Sequence, residues 1–337
     1  MRSFRFTALF SSILLTCSLA SSAFAKAQVP LGHVEVRGSG PIPMVLIAGP
    51  PLDWRYWEDF MDRNGDKYTM YAVTLAGVAG TPAMPIPPIW RPKEREKRAN
   101  PPLETPWLDN AVDGIVDMMI EKKTGRAVVV GHTVGGLLAL RLGIEHPQLV
   151  SAVVTLEGAP AFPSVRPQTR RERAYDALWR FDAKLRESSP EEWPDKMASW
   201  AEHSAPNPEI ASFITRMCVD TDREVTIRYL VEDRLMDLTD EVSDLRVPTL
   251  GIFSLISGAQ GQSIDQDKRD QFAPAWHEDI RFYKSEDISV FYTLKEPERF
   301  SDELAEFLHS QNITGAPSDD KPDDDQPDDD KTEPTNN

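Results

Sequence analysis

The sequence predicts an α/β fold built on a mostly parallel sheet. Three observations carry that expectation. Short apolar runs rich in Val, Ile and Leu alternate with longer amphipathic stretches between about residues 33 and 309, the pattern of strands covered on both faces by crossover helices. One run, Ala127-Val128-Val129-Val130, passes through a glycine-bounded turn straight into a helix-forming stretch. The chain of 337 residues is 40% hydrophobic, enough to fill one large core.

In order along the chain, His33–Arg37 reads as a strand and Gly38-Ser39-Gly40 as a tight turn. Residues Pro43 to Ala48 form an apolar run suited to a buried strand. Trp54 to Asp62 is amphipathic and helical in pattern. A strand follows from Met70 to Leu75, ended by Gly77. The next runs from Arg126 to Val130 and leads into a helix from about Val134 to Glu145. Further strands are expected at Ala152–Leu156, Thr249–Ser254 and Ile280–Tyr283, and a last helix from about Glu298 to His309.

Two segments break this rhythm. Residues 82–106 hold eight prolines around Arg91, Lys93, Arg95, Lys97 and Arg98. Proline at that density opposes helix and central strand, so a basic surface loop is expected. Residues 160–245 carry helical patterns without a clear strand, which suggests a helical cap inserted between sheet strands. Cys218, within it, reads as a small buried apolar residue.

The termini stand apart. Residues 1–25 have Arg2 and Arg5, an apolar run and an Ala23-Phe24-Ala25 cleavage site, the marks of an export signal. That run is too short for a comfortable membrane span, and no second one of spanning length follows. The expected mature protein is therefore exported, periplasmic or extracellular, with no integral membrane segment. Residues 318–337 hold eight Asp and one Glu against two Lys, with no aromatic residue, and are expected to form a solvating disordered tail. The net charge of −17 argues against a nucleic-acid partner. No cofactor is implied, and no His pair or Cys/His cluster has metal-ligand spacing.

Gly131-His132-Thr133-Val134-Gly135 has the spacing G-x-S-x-G with Thr in the Ser place. Between a strand and a helix, such a turn lifts a nucleophile above the sheet edge. The following N–H and the helix N-terminus then face a developing oxyanion. With this motif, the chain over about residues 31–310 resembles the α/β-hydrolase superfamily in its esterase, lactonase and peptidase-like branch. Val45 to Trp54 looks like the strand and oxyanion loop V-L-I-H-G-F-P-x-x-W. Val73 to Gly80 resembles the next strand with its P-G-x-G-x-S turn, and Leu137 to Pro147 the helix after the nucleophile. Val247 to Leu250 resembles the strand entry after the cap. Leu294 to Phe300 resembles the segment following the catalytic His.

The resemblance also implies where the chemistry departs. The nucleophile position is Thr133, a β-branched residue at a turn that demands positive φ. The His position falls at Val290, which cannot accept a proton. The oxyanion donor after Gly49 falls at Pro50, which has no N–H. Pro51 has none either, and Val134 is left as the expected donor. The acid is open between Glu157 and Asp265. Among the other histidines, His132 is expected to pack inward. His33, His146, His277 and His309 lie in outlying elements, and His203 alone is placed where a cap could bring it over the site.

Gly49, Pro50, Pro51, His132, Thr133, Val134 and Val290 are the expected pocket. The expected protein is a hydrolase scaffold that has lost Ser-His-Asp acyl transfer and binds a small apolar or ester-like ligand, or a protein partner. The alternative is an active esterase- or lactonase-like hydrolase with relocated residues, in which Thr133 or a bound water acts with Glu157 and a cap residue such as His203.

Overall fold

The computed structural model describes residues 29–85, 104–162, 169, 172–173, 176–255, 265–266, 269–271, 278–283 and 289–314. The expected export signal, the basic cluster of residues 91–98, His277 and the acidic tail lie outside these residues.

Among the described residues, seven strands form one sheet in the order β1-β3-β2-β4-β5-β6-β7. They are β1 (His33–Arg37), β2 (Ile42–Ile47), β3 (Tyr68–Thr74), β4 (Ala127–His132), β5 (Val150–Leu156), β6 (Thr249–Ser254) and β7 (Glu278–Tyr283). Only β1 runs antiparallel, pairing Val34 with Val73 at the sheet edge. All other pairings are parallel.

The period of two along each strand divides the core into two layers. Met44 and Leu46 of β2, Val128 and Val130 of β4, and Ala152, Val154 and Leu156 of β5 face one layer. Val45 and Ile47, Ala127 and Val129, and Val153 face the other. The first layer is closed by Tyr56, Trp57 and Phe60 around α1 (Glu58–Arg63) and by α7 (Pro297–Ser310). Helix α7 presents Phe300, Leu304 and Phe307 at helical spacing, each burial contributing about 1.5–3 kcal/mol. The second layer is closed by α2 (Pro106–Lys122) and α3 (Val134–Glu145), through residues such as Trp107, Ile115, Leu138 and Leu142.

Helix α2 is an element the sequence reading passes over; its first residue, Pro106, is the last of the eight prolines in the expected loop. The stretch from Trp54 read as one helix is a 3-10 turn, Trp54–Trp57, leading into α1.

Between β5 and β6 lies the inserted helical cap, with α4 (Trp193–Ser204), α5 (Pro208–Val219) and α6 (Arg223–Leu235). Its extended pairing among the described residues is one bridge between Ala161 and Asp237. Cys218 of α5 is fully buried, and burial pushes its thiol up to about 12. No described helix is long and apolar enough to cross a membrane.

Candidate functional site

Thr133 links β4 to α3 with φ 50° and ψ −115°. A β-branched residue held there costs on the order of 1–3 kcal/mol, so the surroundings must fix it. The Thr133 N–H donates to the Leu156 carbonyl of β5 at 2.7 Å, and its own carbonyl accepts from Gly136 and Leu137 in the first turn of α3. The flanking glycines are required by close approach. A Cβ on Gly131 would lie 2.0 Å from the Gly135 carbonyl oxygen, and one on Gly135 would lie 2.2 Å from that of Ile47.

The Thr133 hydroxyl faces the loop after β2. A Cβ on Gly49 would fall 2.0 Å from the Thr133 Oγ1 and 3.1 Å from the Val134 nitrogen. Val134 opens α3, so its N–H is one of the donors a helix leaves without an intrahelical partner. Across from it, the Leu52 N–H closes a turn onto the Gly49 carbonyl at 3.1 Å. Pro50 and Pro51 occupy the corners of that turn and offer no donor.

These groups open into a cavity of about 420 Å³. Gly49, Pro50, Pro51, His132, Thr133, Val134 and Val290 all line it, together with Glu157 and cap residues including Phe162, Phe181, Trp193, Lys196, Met197, Trp200, Thr226, Leu230 and Asp233. The walls are mainly apolar and aromatic, with a few polar groups, the usual make-up of a small-molecule site.

His132 does not turn toward Thr133. Its Nε2 lies 2.7 Å from the Val290 carbonyl oxygen. A carbonyl only accepts, so Nε2 carries the proton. The ring stacks on Tyr56 with centroids 4.6 Å apart. Burial pulls the imidazole down to about 4, against a smaller opposing effect of the Val290 hydrogen bond, so it is neutral near pH 7. Among the described residues the Thr133 hydroxyl makes no hydrogen bond to an imidazole. His203 sits on α4, where its Nδ1 lies 2.6 Å from the Ser199 carbonyl. It lines a second, more polar cavity with Ser254, Ser289 and Lys295, which among the described residues shares Val290 with the first. The expectation that the cap brings it over the site is therefore not met. His33 lies at the β1 edge, His146 follows α3 and His309 ends α7.

The two acids separate. Glu157 lines the main cavity at φ 59° and accepts from both the N–H and the hydroxyl of Ser254 at 2.5 Å. Asp265 is buried but does not line that cavity. Sequence reasoning missed Asp233, a carboxylate on the cap's inner face. The signal was present in Thr226, Leu230 and Asp233 at i, i+4 and i+7, which places them on one side of a helix.

The sequence matches the alpha/beta hydrolase family over residues 44–289. A pimeloyl-[acyl-carrier protein] methyl ester esterase of Vibrio vulnificus is 22% identical over 289 residues, covering 82% of this chain and 97% of that protein. Among solved structures, MenH from S. aureus aligns with a TM-score of 0.63 at 14% identity over 84% of this chain and all of that one. An esterase from Exiguobacterium antarcticum aligns with a TM-score of 0.63 at 19% identity, covering 82% of this chain and 95% of that one. At such identities these structures establish a shared fold. With the family match spanning well over half of its length, the chain belongs to the alpha/beta hydrolase family.

Proposed function

We propose that this is an exported α/β-hydrolase-fold protein that binds a small ligand in the cavity beneath its cap and has lost Ser-His-Asp acyl transfer. One observation carries the reading: the hydroxyl at the elbow has no imidazole on it among the described residues, and the one imidazole lining its cavity is bound to the Val290 carbonyl. Without a base, a threonine hydroxyl is a weak nucleophile. The two prolines after Gly49 remove a further oxyanion donor, worth about 2.7–4 kcal/mol of transition-state stabilisation. What remains is a preformed, mostly apolar pocket suited to an apolar or ester-like ligand.

A second reading has its own support. The strained elbow and a cavity-lining carboxylate, Glu157, are retained, and several relatives bear esterase names. On that reading, Thr133 or a water acts with Glu157 in a hydrolase with relocated groups.

Purified protein assayed with p-nitrophenyl acetate and butyrate separates the two. The expected outcome is turnover no different from that of Thr133→Ala. Turnover that disappears in Thr133→Ala would sink the first reading. The triple variant Thr133→Ser, Val290→His, Pro50→Phe is expected to gain activity, because it restores nucleophile, base and donor on an intact scaffold.

A further inference from the structure

The cavity is mainly apolar, yet it carries a carboxylate that no donor among the described residues occupies. Asp233 projects from α6 beside Leu230 and Thr226 and lines the cavity wall. It makes no hydrogen bond or ion pair with any described residue. Burial raises its carboxyl to about 6, opposed by the adjacent Arg234, so it is ionised at neutral pH and above. Asp233 is half-buried and open to the cavity; among the described residues Arg234 attracts it through space and no donor occupies it, which leaves the carboxylate available to a ligand.

The neighbouring cations are already engaged. The Arg234 guanidinium is sandwiched between the rings of Phe162 and Phe181, 3.7 Å from each centroid, and does not line the cavity. Lys196 does line it, but its Nζ donates to the Lys184 and Leu185 carbonyls at 3.3 and 3.5 Å. The charged side chains on the described wall are thus one occupied ammonium, the Ser254-bound carboxylate of Glu157, and Asp233. The wall has an acidic excess. Aromatic faces beside a carboxylate are the surroundings an organic cation prefers to water.

We propose that this cavity binds an alkyl- or arylammonium ion, its apolar body against Trp193, Met197 and Trp200 and its N–H groups donating to the Asp233 carboxylate. The proposal rests on the cavity being a ligand site, and holds whether or not any hydrolysis occurs there.

The test compares hexylammonium, 1-hexanol and hexanoate at pH 8, by titration calorimetry and by the fluorescence of the cavity tryptophans. None of the three is hydrolysable, so the outcome is independent of the ester assays. Hexylammonium is expected to bind at least tenfold more tightly than hexanol, and hexanoate more weakly than either. In Asp233→Asn the ammonium preference should vanish while hexanol affinity holds. Equal affinity for amine and alcohol, tighter binding of hexanoate, or a preference that survives in Asp233→Asn would each overturn the proposal. If that variant does not fold, the three-ligand comparison on the unaltered protein decides alone.

Discussion

At Thr133 and His132, two adjacent residues answer opposite demands. Thr133 is held at positive φ by hydrogen bonds to β5 and α3, and its hydroxyl is set over the Gly49 loop. His132 points the other way, into the core against Tyr56, and spends its Nε2 proton on the Val290 carbonyl. Its burial has a measurable consequence. The imidazole titrates at about 4 in the folded protein against an ordinary 6.5. Between those values the unfolded chain binds more protons than the folded one, so stability falls as pH drops through that window. The loss amounts to about 3 kcal/mol when complete. In His132→Phe this component is expected to disappear, so urea unfolding at pH 7, 5.5 and 4.5 should show the wild type losing more stability than the variant as the pH falls. Parallel losses in the two proteins would show that His132 is not held neutral.

Helix α2 illustrates how an element can depend on a distant partner. Its N-cap, Thr105, makes no side-chain capping bond. Instead Glu232 of α6, fully buried, accepts from the Trp107 and Leu108 N–H groups at 2.8 and 3.1 Å, with the Arg228 Nε 3.3 Å from its other oxygen. Burial nonetheless pushes this carboxyl up to about 8, against the pull of those N–H groups and Arg228. The folded state therefore binds the extra proton between about 4.5 and 8, and Glu232 makes stability decline as pH rises through that range. Glu232→Ala should cost about 3 kcal/mol or more, since it strands two N–H groups and a buried guanidinium. Glu232→Gln keeps an acceptor and should be milder, with the 4.5–8 decline removed. Chemical unfolding of the three proteins at pH 5 and pH 8 checks this. A decline of unchanged size in Glu232→Gln would assign it to another group.

At the scale of the molecule, the cap is fastened to the sheet body at a few polar points. The Thr221 hydroxyl, between α5 and α6, donates to the Pro51 carbonyl at 3.2 Å and accepts from the Ala79 N–H at 2.9 Å. The Tyr229 hydroxyl donates to the Ala76 carbonyl at 3.1 Å. Arg55 joins the buried Asp53 to Asp220 at the end of α5. The first of these ties the cap to the loop that faces Thr133, so cap position and site geometry are coupled. Thr221→Val keeps the shape and removes both hydrogen bonds, at a cost of about 1–3 kcal/mol. The expected readout is a lower urea midpoint with one coincident transition for fluorescence and circular dichroism. An unshifted midpoint would mean that Thr221 does not fasten the cap.

The sequence by itself determined the α/β class and the strand–turn–helix around Thr133, with the Gly49 loop beside it. These follow from local periodicity, from glycines at close approaches and from a motif contained within a few residues. It did not disclose α2, because proline at the first helical position looks like the end of a loop, and the acid that caps the helix lies 125 residues away. Nor could it place His203 or Asp233, both on cap helices. Which face of a helix meets the cavity depends on how the whole cap packs over the sheet. His203 is turned to a second cavity and Asp233 into the first. Only the tertiary structure decides that, because burial, exposure and the partnering of a charge are set by residues remote in the chain.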